Sequence, residues 1–186
     1  PGDARLDPLF DELDRRGAVV FFHPTASAGW TQLPDIPWPT LEFPFDTTRA
    51  IVSLLMGGTL ARCRRIRFIF AHAGGAAPFL AERIARLNAI PAFRQAVPDG
   101  VLATLGRIHV DVALSANRMI FASLQQVLPA SQMLFGSDYP HAGEPTMAAT
   151  VSGLAALDLE EAAHRAIARE TALRLFPDLG RRTGTA

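Results

Sequence analysis

Three side chains in this 186-residue sequence have the types and the spacing for metal or proton chemistry: His23, His72 and Asp138. Each follows an apolar run, Phe21-Phe22 before His23, Phe70-Ala71 before His72 and Phe135-Gly136-Ser137 before Asp138. They stand 49 and 66 residues apart, so no local loop can gather them. A parallel sheet can, because it brings the carboxyl ends of its strands to one rim. Two imidazoles and a carboxylate are ligands for zinc, manganese or iron, and an imidazole also gives and takes protons near neutral pH. Singly, a histidine after a strand is more often a structural hydrogen-bonding residue, and an aspartate there a turn or cap. Recurrence at three equivalent strand ends is what favours the chemical reading.

The other candidates are weaker. His141 follows Asp138 by three residues and can face the same rim; His109 reads as a packing residue inside a strand and His164 as solvated on a helix. Gly74-Gly75 suits either an anion at a helix start or a tight turn that lets the chain pass close to the site. Asp111 takes a rim position in its strand, and Ser115 reads as the cap of the next helix. A proline-rich stretch from Thr25 to Phe45 reads as a long ordered loop and the natural specificity element. Its Trp30, Trp38, Phe43 and Phe45 can cover an unsaturated or aromatic ring, and Arg49 just beyond can pair with a carboxylate.

The elements that must position these residues alternate. A helix over 7–16, with Pro8 in its first turn and Gly17 as its stop, precedes a strand over 18–22 that should be buried on both faces. A helix over 47–61 capped by Asp46, a strand over 66–71, a helix over 78–87, a strand over 108–112, a helix over 117–128 and a strand over 132–135 follow. Two further helices carry Met147, Val151 and Leu154 on one face and a capping-box pattern from Asp158 to Glu161. Strand and helix recur four times, which means parallel strands with helical crossovers. An open doubly wound sheet and part of an eight-stranded barrel both fit, and four strands are half of such a barrel.

Composition bounds the function. All 18 basic residues are arginine and balance 18 acidic ones, so the zero net charge argues against a nucleic-acid partner. The lack of lysine excludes Schiff-base and P-loop lysine chemistry. No apolar stretch reaches the ~20 residues of a membrane helix, and Cys63 alone allows no internal disulfide, which points to a reducing, cytoplasmic setting.

Phe22-His23-Pro24, Phe70-Ala71-His72-Ala73-Gly74-Gly75 and Gly136-Ser137-Asp138-Tyr139-Pro140 come in the order that resembles the amidohydrolase superfamily. The branch most similar is that of the aminocarboxymuconate-semialdehyde decarboxylases, with resorcylate decarboxylases and related hydrolases and hydratases. Phe45-Asp46-Thr47-Thr48-Arg49-Ala50, Met56-Gly57-Gly58 and Leu173-Arg174-Leu175-Phe176 also resemble it. The resemblance implies an α/β fold of the (β/α)8 TIM-barrel type, with the last four strand–helix units, strands five to eight, over residues 1–177 and a flexible tail over 178–186. It implies His23 and Asp138 as metal ligands, His72 and Asp138 as acid–base groups, and a divalent metal, zinc first and manganese second. The activity implied is non-oxidative decarboxylation of an aromatic or muconate-type acid, a small-molecule carboxylate substrate; hydrolysis of a lactone or related ester, or hydration, uses the same ligands. Two departures stand out. No H-x-H motif supplies further ligands, and Glu170-Thr171-Ala172 replaces the usual Gly-Asn-Ala. With Pro1 in place of a starting methionine, the expectation is a piece of a longer protein. The alternative is a catalytically incomplete half-barrel whose open sheet edges pair in a homodimer.

Overall fold

The computed structural model describes residues 1–25, 33, 35–182 and 184. Helix α1 (Asp7–Arg16) opens the chain with Pro8 in its first turn and ends where Gly17 adopts a left-handed conformation, as the sequence predicts. Strand β1 (Val19–Phe22) leads to α2 (Trp38–Met56) and the short α3 (Thr59–Arg62). Strand β2 (Arg67–Phe70) is followed by α4 (Ala77–Ala85), α5 (Pro91–Ala96) and α6 (Val101–Leu105). Strand β3 (His109–Asp111) leads to α7 (Arg118–Leu124), and β4 (Met133–Leu134) to α8 (Glu144–Ala155), α9 (Glu161–Arg165), α10 (Thr171–Leu175) and α11 (Pro177–Arg182).

All strand pairings are parallel and the spatial order is β1-β2-β3-β4. A doubly wound sheet reverses direction at a switch point; this one never does. Four successive strand–helix units wound in one sense are the barrel arrangement, so of the two architectures the sequence allows, the structure takes the barrel type. Alternate strand residues, Val20, Phe22, Phe68, Phe70, Val110 and Met133, pack against the helices in the main core with Ile51, Leu54, Phe93, Leu105 and Phe121. On the other face Ile69 and Leu134 pack with Leu175 of α10, beside Val19 and Ala172. Between α9 and α10 the backbone widens into a π-helical turn, Ala166–Glu170, and the Ile167 carbonyl there accepts from the Phe135 amide at 2.7 Å. Among the described residues no helix is long and apolar enough to cross a membrane.

Several expectations are corrected. β1 is not buried on both faces: it is an edge strand, and Phe21 is 52% exposed. The stretch before Asp46 is not all loop, because α2 begins at Trp38. Pro39 lies in its first turn, where a proline costs no hydrogen bond, and Pro44 is carried inside the helix. Asp46 is therefore a mid-helix residue rather than a cap. Asn117, not Ser115, caps α7, its side chain accepting from the Ile120 amide, while Ser115 is buried. On α8 Leu154 is buried and Val151 exposed, with Thr150 taking the inner position beside it. Helix α9 starts from Glu160 without a side-chain cap. His164 is half-buried rather than solvated, its ring 3.2 Å from the Leu157 carbonyl, and within the expected tail, residues up to Arg182 belong to α11.

Candidate active site

The exits of β1, β2 and β4 bring His23, His72 and Asp138 together, so the three side chains singled out from spacing do converge. One ligand atom from each lies within 4.8 Å of the others, a geometry able to hold a metal ion. The Asp138 carboxylate is between the two rings: Oδ1 is 3.3 Å from Nε2 of His23, and Oδ2 is 3.8 Å from Nε2 of His72. The rings meet edge-on with centroids 5.5 Å apart. His72 and Asp138 both hold left-handed backbone conformations, φ 55° and 59°, conformations uncommon outside glycine and at home where a site aims a side chain.

The donor chemistry fits a cation. Nδ1 of His23 is 3.1 Å from the Pro24 carbonyl, which can only accept, so that nitrogen carries the proton. In a neutral ring Nε2 then turns a lone pair toward the Asp138 carboxylate. A proton on Nε2 joins these two atoms as a hydrogen bond, and a divalent ion, which imidazole and carboxylate both bind, fits in its place. His72 adds an orphan: its Nδ1 is buried without a hydrogen-bond partner, and buried polar atoms are rarely left so outside functional sites.

The surroundings are built by the helices. The Asp46 carboxylate accepts from the Thr25 amide at 3.2 Å, tying the chain after His23 to α2. Thr48, buried on the same helix, accepts from the Ala76 amide at 2.8 Å and donates to the Pro44 carbonyl at 2.7 Å. These bonds clamp the turn after His72 onto α2. Gly75 makes that approach possible, because its φ is +63° and any Cβ would overlap the Pro44 carbonyl oxygen. Of the two readings of Gly74-Gly75, the structure supports the close-passing turn: the Ala76 amide at the start of α4 is already taken by Thr48.

A cavity of about 560 Å³ opens beside the cluster, lined by His23 and Asp138 with Phe43, Pro39, Leu114 and His141 among its walls; His72 lies behind Asp138 and is not in its lining. His141 is thus placed at the rim as expected, its ring centroid 6.3 Å from that of His23. Arg49 lies elsewhere: it lines a neighbouring cavity of about 360 Å³ that shares only His23 and Pro24 with the first. Phe45 is outside both, half-exposed, because two residues along a helix turn through about 200° and Phe43 already takes the inward side. Trp30 falls outside the described residues.

Of two further residues at the site, the sequence reading missed one and gave the other a rim position without a role. Leu114, with φ 54°, forms part of the cavity wall. Asp111 lies at the end of β3, between the exits of β2 and β4, and its Oδ1 accepts from the amides of His72 and Ala113, each at 3.0 Å. Burial pushes its carboxyl above the ordinary range, and those two amide bonds oppose the shift. The sequence reading places it at a rim position in its strand but gives it no role, and the register sets it level with Leu134, four residues before Asp138.

The profile of the amidohydrolase family matches residues 1–177. A 6-methylsalicylic acid decarboxylase of Penicillium expansum is 34% identical over 181 residues, 96% of this chain and 56% of that protein. A decarboxylase of Aspergillus niger is 32% identical over 95% of this chain and 50% of its own length. A 2-amino-3-carboxymuconate-6-semialdehyde decarboxylase of Dictyostelium discoideum is 32% identical over 74% of the chain and 39% of its own length. The chain thus spans about half the length of the curated relatives it matches first. Among solved structures, an amidohydrolase II superposes with a TM-score of 0.83 at 27% identity, over 94% of this chain and 56% of that one. A dihydroxybenzoic acid decarboxylase of Polaromonas, solved with manganese and 2-nitroresorcinol, gives 0.74 at 17% identity over 95% and 55%.

Proposed function

The chain belongs to the amidohydrolase family, and from that premise we propose that it serves the metal-dependent, non-oxidative decarboxylation of an aromatic or muconate-type carboxylic acid. The observation that carries this reading is the convergence of His23, His72 and Asp138 within 4.8 Å, two of them in the wall of a cavity that Phe43, Pro39 and Leu114 also line. The decarboxylases among its relatives support the choice of reaction over lactone hydrolysis.

A divalent ion held by His23 and Asp138 would supply Lewis acidity and a fixed positive charge for an anionic substrate. Zinc is our first choice for a set of imidazole and carboxylate donors, with manganese, found in the Polaromonas structure, the alternative. His72 gives a proton to the ring carbon that bears the carboxyl group. The bond to that group then breaks, its electron pair returns to the ring, and carbon dioxide leaves. Asp138 stands 3.8 Å from the His72 Nε2 and relays back to it a proton taken from solvent water once the product has left. Phe43, Pro39 and Leu114 flank the ring and keep water from it, and His141 closes the rim. We place the protein in the cytoplasm, as a buried free Cys63 suits.

The test is incubation of the metal-loaded protein with 6-methylsalicylic acid, 2,6-dihydroxybenzoate and an aryl lactone. Carbon dioxide release from an acid is the expected result; ring opening of the lactone without it overturns the reading. His72→Ala should lower turnover by about 10²–10⁴-fold, and a loss under about threefold removes His72 from its role.

A further inference from the structure

The reaction just proposed leaves one buried ionisable group at the site without a part. Asp111 is only 9% exposed, lies on the strand between the two that end in His72 and Asp138, and is the one strand-end carboxylate outside the cluster. A carboxylate in such a place needs hydrogen bonds, and the bonds it makes are specific. Oδ1 receives the amide of His72 from across the sheet and that of Ala113 from its own turn, both at 3.0 Å. The first of these amides belongs to a residue with φ 55°, followed by Ala73 with φ 57°. Two successive non-glycine residues in the left-handed region relax unless something outside the turn holds them. The other side of Asp111 is packed as well: a Cβ on Gly136 would stand 3.0 Å from that of Asp111, so the carboxylate is braced by the exit of β4 while it grips the exit of β2.

We propose that Asp111 is a positioning residue that pins the His72 backbone in its left-handed conformation and thereby holds the imidazole against Asp138. It touches no substrate. It acts through His72, and its role in turnover rests on the reading of His72 as the proton donor, whereas its role in geometry does not. The bond needs an oxygen acceptor and not a charge. Asparagine, whose amide oxygen accepts both N–H groups, therefore suffices, while leucine has the same branched skeleton, is somewhat bulkier and accepts neither. The two substitutions separate positioning from packing: a residue that merely filled space would be replaced well by leucine, which also relieves the burial of a carboxyl group.

The experiment compares Asp111→Leu, Asp111→Ala and Asp111→Asn with the parent chain by NMR. Three quantities are read: hydrogen exchange at the His72 and Ala113 amides, the ring-to-ring contact between His23 and His72, and exchange at Leu54 deep in α2 as an internal reference. In the leucine variant both amides should exchange roughly tenfold faster or more and the ring contact should vanish, with Leu54 changed far less. In the asparagine variant both should stay as in the parent. The alanine variant should follow leucine, and decides in its place if leucine does not fold. The proposal is overturned if leucine or alanine keeps parental exchange and ring contact, if asparagine loses them while folded, or if Leu54 loses protection in step with His72. In the decarboxylation assay the leucine variant should lose about 10–100-fold in kcat with KM nearly constant. Should no acid be turned over by the parent, the exchange and ring measurements still decide the role of Asp111. Should they fail while the parent remains active, only the positioning is lost.

Discussion

Replacing Thr48 by valine tests whether the turn that carries His72 is held from outside by α2. The Thr48 hydroxyl is buried, accepts from the Ala76 amide at 2.8 Å and donates to the Pro44 carbonyl at 2.7 Å. Valine has nearly the shape of threonine, so no cavity opens and the change is one of hydrogen bonding alone. The Ala76 amide would lose its acceptor in a dry place, which costs about 1–3 kcal/mol. The Pro44 carbonyl lies inside α2, so loss of the second bond adds less. The expected total is about 2 kcal/mol, or a fall in melting temperature of roughly 4–8 °C for a chain of this size. Thr48→Ser keeps both bonds and removes one methyl group, a loss of about 1 kcal/mol. Urea unfolding followed by circular dichroism gives both values on one scale. The order is the critical result: valine must cost more than serine although it keeps more apolar surface. If serine costs more, or valine costs less than about 0.5 kcal/mol, the clamp between α2 and the His72 turn is not what stabilises this corner.

Three other outcomes follow from the same geometry. Gly75→Ala meets a positive φ and the Pro44 carbonyl, so it should lower stability by about 2 kcal/mol or more in the same unfolding assay, and a neutral alanine would remove the close approach from the account. Burial lowers the pKa of His109 below the ordinary histidine value of 6.5, so as pH falls past that value the unfolded chain takes up a proton before the folded one. Stability should therefore be flat above about pH 6.5 and decline below it, and His109→Gln should flatten that part of the profile; an unchanged slope in the variant would assign the decline elsewhere. Zinc or manganese at about a hundredfold over its dissociation constant should stabilise the chain by about 2.7 kcal/mol, a chelator should reverse this, and His23→Ala or Asp138→Asn should abolish it in a thermal melt. A shift that survives both substitutions places the ion at other residues.

The strand exits were the legible part of this molecule because apolar runs and the residues that end them are local signals. His23, His72 and Asp138 each close such a run, and the parallel sheet needed to gather them follows from the alternation of elements. What failed was the stretch before Asp46. Prolines there read as loop, yet Pro39 sits where a helix has no use for an amide and Pro44 costs α2 one bond, which tertiary contacts offset. That misreading moved the aromatic wall: with residues 38–46 taken as loop, Phe43 and Phe45 looked equivalent, and only a helical period distinguishes them. Arg49, helical in the sequence reading as in the structure, lines the neighbouring cavity that His23 also borders. The exposure of Phe21 was illegible for a different cause. A five-residue apolar run says that a strand has two apolar faces, and nothing in it says how many neighbours will cover them.

Backbone conformation shows where the site continues beyond the residues that do chemistry. Five non-glycine residues among those described have positive φ, and four of them, His72, Ala73, Leu114 and Asp138, lie in the turns that leave β2, β3 and β4. Asp and His tolerate that region better than most residues, whereas alanine and leucine have no side-chain group to offset it, so Ala73 and Leu114 give no sign of it in the sequence. Their conformations are held by what surrounds them: Asp111 on the His72 amide, Thr48 on the Ala76 amide, and the turn closed by the Ser115 amide on the Val112 carbonyl. Strain concentrated at three neighbouring strand exits and braced by buried hydrogen bonds is a cost that stability alone does not explain. It is accounted for if these turns must hold Leu114 and Asp138 in the wall of one cavity and His72 against Asp138 at fixed angles. The bracing residues then belong to the function as much as the histidines do.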